Sequence, residues 1–297
     1  MNHILMPLKS FFKILVATYK NWNANEPFQM SAAVSYYALF SFPALLIIII
    51  QTTGLFYEKN EIKSKITKEI SIVLGTDAAQ TVEIMLKNAI DQEQPTLLII
   101  IGIFTLLYGA TGMFIALQKA LNTIWGVKPK PKSEILKMVR DRIFSLGLIL
   151  MIGLLLLTSL VLTTLVTATT NWIGRHFPDI IIYVILIINF LLSIILTTVL
   201  FAMIFKVLPD VKMKWRYVWL GAFVTTILFS IGKYALSIYF GTVNPGSTFG
   251  AAGSVILILL WVSYSSLILF FGAEFTKALA LAYGSGIKPS SYAEKIS

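Results

Sequence analysis

Two ionisable residues, Glu274 and Lys233, lie inside long apolar stretches of this sequence. A charge at mid-depth in a membrane helix costs at least about 2.5–3.5 kcal/mol, so each residue calls for a partner or a chemical role. Counting about 1.5 Å per helical residue places Glu274 near the inner end of its helix, at the depth of uncharged hydrogen-bonding groups on other helices. The polar layer so predicted comprises Tyr36, Tyr37, Gln118, Asn122 and Glu274, with Trp125 on the same helix face as Gln118 and Asn122. The layer could meet a proton or a lipid head group, or it could simply hold helices together. In either case Arg142, Lys206 and Arg216 border the layer and could pair with Glu274.

Lys233 lies nearer the outer end of its own predicted helix, too far from Glu274 for an ion pair. Its helix face also carries hydroxyl groups, and the preceding span has a similar polar stripe. The two sets are Thr226, Ser230 and Ser237, and Asn189, Ser193 and Thr197. Such groups at helical spacing commonly join neighbouring helices, and a lysine can extend its ammonium group to the membrane surface. A functional intramembrane charge at Lys233 is the alternative.

The composition predicts an integral membrane protein. The chain has 297 residues, of which 57% are hydrophobic and 13% charged, whereas soluble domains are about 25% charged. It has no cysteine and two histidines, which excludes disulfides and thiolate metal sites and leaves little for zinc. The acids are scattered, whereas metal-dependent RNA hydrolysis needs clustered ligands. We therefore expect no metal, no cofactor and no enzymatic activity.

Apolar runs of around 20 residues or more define the elements that would position these side chains. They predict an all-α polytopic membrane protein whose single domain, 31–283, has six transmembrane helices, near 31–57, 96–124, 143–169, 180–206, 217–240 and 249–283. Pro43 should kink the first helix. Residues 58–94 predict a short extracytoplasmic helical hairpin. Residues 1–30 predict a cytoplasmic amphipathic helix that lies in the membrane surface or packs on the bundle, and 284–297 a cytoplasmic tail.

The distribution of lysine and arginine sets the expected orientation. Most of the 24 basic residues fall in the N-terminus, the second and fourth interhelical loops and the C-terminus, so both termini should be cytoplasmic. The loop after the second span is the richest, with Lys128, Lys130, Lys132, Lys137, Arg140 and Arg142. We expect these residues to contact anionic lipid head groups of the bilayer. The net charge of +10 then reflects membrane topology and gives no reason to expect nucleic-acid binding. The sequence is compatible with a monomer or a homo-oligomer.

Four stretches resemble one family: SAAVSYYALFSFPALL (31–46), ALQKALNTIW (116–125), LPDVKMKWRYVWLGA (208–222) and GAAGSVILILLWVSYSSLILFFGAEF (250–275). In this order they are similar to the YihY/BrkB family of bacterial inner-membrane proteins, formerly mislabelled ribonuclease BN. The resemblance implies six helices in the inner membrane. The residues that match the family pattern are Tyr36, Tyr37, Ser41, Pro43, Gln118, Asn122, Trp125, Pro209, Gly221, Trp261, Tyr264, Gly272 and Glu274.

Two functions follow from the polar layer and this resemblance. The first is a transporter-like protein that moves lipid or an amphipathic envelope component, with the layer as its site. The second is a non-transporting membrane scaffold or envelope-integrity factor, with the same layer holding helices together. A ribonuclease is disfavoured because no metal-binding cluster is present in the sequence.

Overall fold

The computed structural model describes residues 8–53, 63–64, 67–68, 79, 83, 96–130, 180–243, 253–283, 286–290 and 293–296. The third expected span, near 143–169, lies outside these residues, as do Lys132, Lys137, Arg140 and Arg142. Nearly all of the expected hairpin at 58–94 also lies outside them, so the hairpin stays a prediction.

Six long helices form within the described residues, and five of them coincide with expected spans to within a few residues. They are α1 (Leu8–Ala24), α2 (Pro27–Thr53), α3 (Thr96–Trp125), α4 (Ile180–Val207), α5 (Trp215–Val243) and α6 (Gly253–Ala282). Three helical segments are long and apolar enough to cross a membrane in this part of the chain, namely Phe190–Val207, Trp215–Val243 and Val255–Ala282. The six-span arrangement itself stays a prediction.

The turn between α1 and α2 shows how local chemistry sets a helix boundary. Glu26 adopts a positive φ of 50°, which turns the chain, and its carbonyl accepts hydrogen bonds from Gln29 and Met30. Pro27 is the first residue of α2, where its fixed φ suits a helix and its missing N–H costs nothing. The helix therefore begins four residues before the expected start of the span at residue 31.

Helix α1 packs by one face and keeps another exposed. Ile14 and Thr18 are buried, whereas Phe12, Val16 and Tyr19 are exposed apolar residues. This division is compatible with both expected placements of the N-terminal helix, because the buried face packs on the protein while the exposed face could still enter the membrane surface.

Two short antiparallel ladders, absent from the all-α expectation, join the interhelical segments to the C-terminal residues. Strand β1 (Val127–Pro129) follows α3 directly and pairs with β4 (Ala293–Lys295). Strand β2 (Val211–Lys212) lies between α4 and α5 and pairs with β3 (Lys288–Pro289). The segment expected to be a tail is therefore paired with two loops through its backbone.

The chain divides into two compact units. Unit 1 contains 1–21, 121–227 and 271–297, and unit 2 contains 22–120 and 228–270. The core of unit 1 includes the fully buried side chains of Leu121, Ile124, Phe205, Leu208 and Phe275.

Unit 2 packs its helices through small residues and aromatic rings. A Cβ added to Gly112 would lie 2.2 Å from a ring carbon of Tyr37, so α2 and α3 approach closely because this position has no side chain. The hydroxyl groups of Ser31 and Ser263 lie 3.1 Å apart and join α2 to α6.

Candidate functional site

A reciprocal pair of hydrogen bonds joins the end of α3 to the turn after α4 in unit 1. The side-chain amide of Asn122 donates to Oδ2 of Asp210 at 3.0 Å, and the backbone N–H of Asp210 donates to Oδ1 of Asn122 at 2.8 Å. Both residues are buried. We call this pair the Asn122–Asp210 clamp. It satisfies a backbone group and a carboxylate that would each be costly to bury alone.

The C-terminal residues close over the same region. The carbonyl of Asp210 accepts a hydrogen bond from the Ser290 N–H at 2.9 Å, and the carbonyl of Gly126 accepts one from Ile296 at 2.9 Å. Gly126 has a φ of 67°, a conformation that glycine adopts without steric cost and that ends α3 before β1. The ends of α3 and α4 are thus tied to one another and to the residues that follow α6.

A small ion cluster reinforces the ladder between β1 and β4. The Glu294 carboxylate lies 2.7 Å from the Lys130 ammonium group and 3.4 Å from that of Lys128. Hydrogen bonds from Lys130 and Lys128 lower the pKa of the Glu294 carboxyl below its usual range, and the hydrogen bond to Glu294 raises the pKa of Lys130. Each charge therefore favours the ionised form of the other.

Glu274 is the most deeply buried ionisable residue described, with 0% of its surface exposed. The Lys277 ammonium group, one turn later on α6, lies 3.1 Å from its Oε1 and has a side chain 20% exposed. The side chain of Asn21 on α1 also hydrogen-bonds to the Glu274 carboxylate. Among the described residues, the ion-pair partner of Glu274 is therefore a lysine on its own helix, whereas the expected partners were Arg142, Lys206 and Arg216 on other segments. Because the Lys277 side chain is partly exposed, the ion pair extends from the buried carboxylate toward the protein surface.

Glycine and threonine interlock α5 with α6 beside Glu274. A Cβ on Gly221 would lie 1.7 Å from Oγ1 of Thr276, and a Cβ on Gly272 would lie 1.9 Å from Oγ1 of Thr225. Each threonine hydroxyl donates to the carbonyl of the glycine four residues earlier on its own helix, at 2.7 Å. The sequences GAFVT (221–225) and GAEFT (272–276) therefore form a reciprocal contact, in which small residues allow close helix approach.

The two units divide the expected polar layer. Asn122, Trp125 and Glu274 belong to unit 1, whereas Tyr36, Tyr37 and Gln118 belong to unit 2. Trp125 is buried. In unit 2, Tyr36 and Tyr37 lie edge to face, with ring centroids 5.4 Å apart, and the Tyr37 ring faces Tyr108 at 6.3 Å.

The polar stripes on α4 and α5 meet through one pair of threonines. The Thr198 hydroxyl donates to that of Thr226 at 3.1 Å, and both residues are buried. This contact matches the helix-joining interpretation for Thr226, although its partner is the residue after the expected Thr197. Lys233, farther along α5, is exposed.

Of the loop cations expected to contact anionic lipid, the structure describes Lys128 and Lys130. Both bind Glu294, so part of their charge is already neutralised within the protein. Asp210 is the residue of this site that sequence reasoning missed. It lay within the quoted stretch LPDVKMKW, and an acid beside a span end was the available signal.

Comparison with known proteins gives concordant matches. The family profile described as "Virulence factor BrkB" matches residues 18–296. A UPF0761 membrane protein of Mannheimia succiniciproducens is 23% identical over 281 residues, covering 93% of this chain and 91% of that protein. One from Haemophilus influenzae is 23% identical over 278 residues, covering 93% and 97%. YfkH of Bacillus subtilis, whose name calls it ribonuclease-like, is 23% identical over 272 residues, covering 91% and 95%. No solved structure matches the chain.

Proposed function

The chain belongs to the BrkB family of membrane proteins, and from that premise we propose that it moves a lipid or another amphipathic envelope component across the bacterial inner membrane. The observation that carries the proposal is Glu274, a fully buried carboxylate on an apolar helix whose lysine partner is partly exposed. Membrane helices retain charges at a cost of several kcal/mol, and they do so most often on the path of an ion or substrate.

The chemistry of this group suits an amphipathic substrate. A carboxylate that pairs with Lys277 at 3.1 Å could exchange that lysine for the amine of a lipid head group, or could take up a proton. The lysine would in turn be free to contact a phosphate. Neither step needs a metal or a covalent intermediate, and we propose a non-enzymatic role.

A membrane scaffold is the second candidate, and the packing of unit 1 favours it. The interlocked glycines and threonines of α5 and α6, together with the Asn122–Asp210 clamp, are devices that hold helices at one spacing. In this alternative the Glu274–Lys277 pair adds to the same framework and has no substrate.

Lipid movement in liposomes distinguishes the two functions. The purified protein is reconstituted with fluorescent anionic or zwitterionic lipid, and the fraction reaching the outer leaflet is followed by dithionite quenching. We expect movement above that of empty liposomes, and its loss in Glu274→Gln. The matched control is Glu294→Gln, which removes an exposed carboxylate that also binds lysine.

The outcomes separate cleanly when the thermal stability of each variant is measured in detergent. Activity lost in Glu274→Gln at unchanged melting temperature supports transport. No movement by folded wild-type protein, or a Glu274→Gln variant that keeps full activity, contradicts the assignment of this site. A drop in melting temperature without any wild-type lipid movement favours the scaffold.

The orientation is part of the proposal, with both termini cytoplasmic. Because the chain has no cysteine, the Lys295→Cys variant carries a single thiol, and a thiol reagent can label the protein only at this position. We expect a membrane-impermeant maleimide to label it in inverted vesicles and not in intact spheroplasts. Labelling from outside would reverse the topology.

A further inference from the structure

Two lysines oppose one another on the ladder between β2 and β3. Lys212 and Lys288 are direct partners in its register, and both side chains are exposed, whereas the neighbouring Val211 is buried. Side chains of directly opposed residues lie on the same face with Cβ atoms about 4.5–5.5 Å apart, and like charges in such positions repel. The ladder therefore places two cationic side chains on one face, where a bound anion would offset the repulsion between them.

The start of α5 adds further positive charge at this point. Lys214 and Arg216 are exposed, and the first turn of the helix, which begins at Trp215, contains no acidic residue. A helix N-terminus carries a partial positive charge that favours anions and disfavours nearby cations. Among the described residues, no carboxylate forms an ion pair with Lys212, Lys288, Lys214 or Arg216.

Two exposed tryptophans indicate which anion fits. Trp215 and Trp219 are 45% and 44% exposed, and their ring centroids lie 6.2 Å apart on successive turns of α5. The Lys206 ammonium group lies 5.4 Å from the centroid of the Trp215 ring. Exposed tryptophans concentrate at the boundary between hydrocarbon and head groups, so the cations that precede them in the chain would lie at the level of lipid phosphates.

Beyond these tryptophans, the exposed side of α5 is apolar. Leu220, Phe223 and Ile227 follow Trp219 at helical spacing, and all three are exposed apolar residues. Helix α5 has 29 residues, about 43 Å, whereas the hydrocarbon core is about 30 Å thick. The first turns of α5 can therefore lie in the head-group region while the later turns contact acyl chains.

We propose that the β2–β3 ladder and the start of α5 form a binding site for an anionic phospholipid. Its phosphate lies between the Lys212 and Lys288 ammonium groups, and its acyl chains lie along Trp219 and Phe223. This site is separate from the cations of the loop after α3, and it does not depend on lipid movement, because a scaffold could use it equally well.

The preference for anionic lipid can be measured by quenching tryptophan fluorescence with lipids brominated in their acyl chains. The full chain is reconstituted in mixtures of phosphatidylglycerol and phosphatidylcholine, with either lipid carrying the bromine. The signal of the site is obtained by subtracting the Trp215→Phe/Trp219→Phe variant. If brominated phosphatidylglycerol quenches the site signal more than its mole fraction in the bilayer predicts, the excess gives the binding constant of phosphatidylglycerol relative to phosphatidylcholine.

Lys288→Gln is the test variant and Lys295→Gln its matched control. Each removes one exposed cation from the C-terminal segment, but Lys295 lies opposite Val127, whereas Lys288 lies opposite Lys212. We expect Lys288→Gln to lower the relative binding constant about fivefold, as one basic residue near an anionic leaflet typically does. Lys295→Gln should change it less than twofold, and Lys288→Arg should restore it.

Several results would contradict the proposed binding site. Equal losses in Lys288→Gln and Lys295→Gln would show a general charge effect. Equal quenching by the two brominated lipids in the wild type would show no preference. Loss of the preference on adding inorganic phosphate would show that the lysines take a free anion. Lys212→Gln serves as a second test, since it removes the opposing charge, which lies outside the C-terminal segment. Lys212→Gln and Lys288→Gln should both have the melting temperature of the wild type.

Discussion

The Asn122–Asp210 clamp allows a stability prediction to be worked out from the structure. In Asn122→Ala, the backbone N–H of Asp210 loses its acceptor and the Asp210 carboxylate loses a donor, at contacts of 2.8 Å and 3.0 Å. A stranded buried N–H costs about 1–3 kcal/mol, and a hydrogen bond to a charged group is worth about 1.5–3 kcal/mol. Because the two losses share one partner and water can partly replace them, we expect a total near 3 kcal/mol.

The measurement is unfolding of the purified protein in detergent by increasing mole fractions of SDS, followed by tryptophan fluorescence. Gln118→Ala is the matched control, because it removes an amide one helical turn earlier on α3 that forms no side-chain hydrogen bond among the described residues. We expect its free energy of unfolding to fall by less than about 1 kcal/mol, within the range of partly exposed substitutions.

A double-mutant cycle tests the cause. Asp210→Ala removes the carboxylate, so adding it to Asn122→Ala should cost less than the sum of the single changes by about 1–2 kcal/mol, as for other groups in direct contact. Strict additivity, or an Asn122→Ala variant as stable as Gln118→Ala, would refute the reasoning that the clamp stabilises the fold.

Two further predictions concern the helix contact and the C-terminal ladder. Gly272→Ala should destabilise the protein by about 1–3 kcal/mol, because its Cβ would lie 1.9 Å from Oγ1 of Thr225. Gly241→Ala, with nothing within 4 Å of its Cβ, should be neutral or slightly stabilising in the same SDS titration. The lowered pKa of Glu294 means that its ionised form stabilises the ladder above the usual carboxyl pKa, and that this contribution is lost as the pH falls through the lowered value. Limited proteolysis of the C-terminal segment should therefore accelerate on acidification in the wild type and lose this pH dependence in Glu294→Gln; equal acid sensitivity in both would contradict the role of the Glu294–Lys130 pair.

Helix positions could be predicted from the sequence because they follow from local chemistry. Inside hydrocarbon every backbone N–H and C=O must bond within the segment, so a long apolar run forms a helix wherever the rest of the chain lies. The bounds of α3 and α4 therefore differ from the expected spans, 96–124 and 180–206, by one residue at most. Polar residues within such runs are equally visible, and Asn122 and Glu274 were identified as candidates on that ground alone.

Their partners could not be predicted in this way. Asp210 lies 88 residues from Asn122 along the chain, and hydropathy carries no information about which loop a helix end will meet. Strands of two or three residues are also too short for an alternating pattern to be recognised, so the pairing of the C-terminal segment with two loops had no signal in the sequence.

The contact between α5 and α6 depends both on a local sequence pattern and on non-local packing. The repeated spacing of glycine and threonine in GAFVT and GAEFT depends on the residues alone, because a glycine and the threonine four positions later share one helix face. The register that sets Gly221 against Thr276 and Gly272 against Thr225 depends on how two antiparallel helices slide along each other. Composition and local hydrogen bonding thus determine the helices and their polar candidates, whereas non-local packing, which optimises many contacts at once, decides which of those candidates meet.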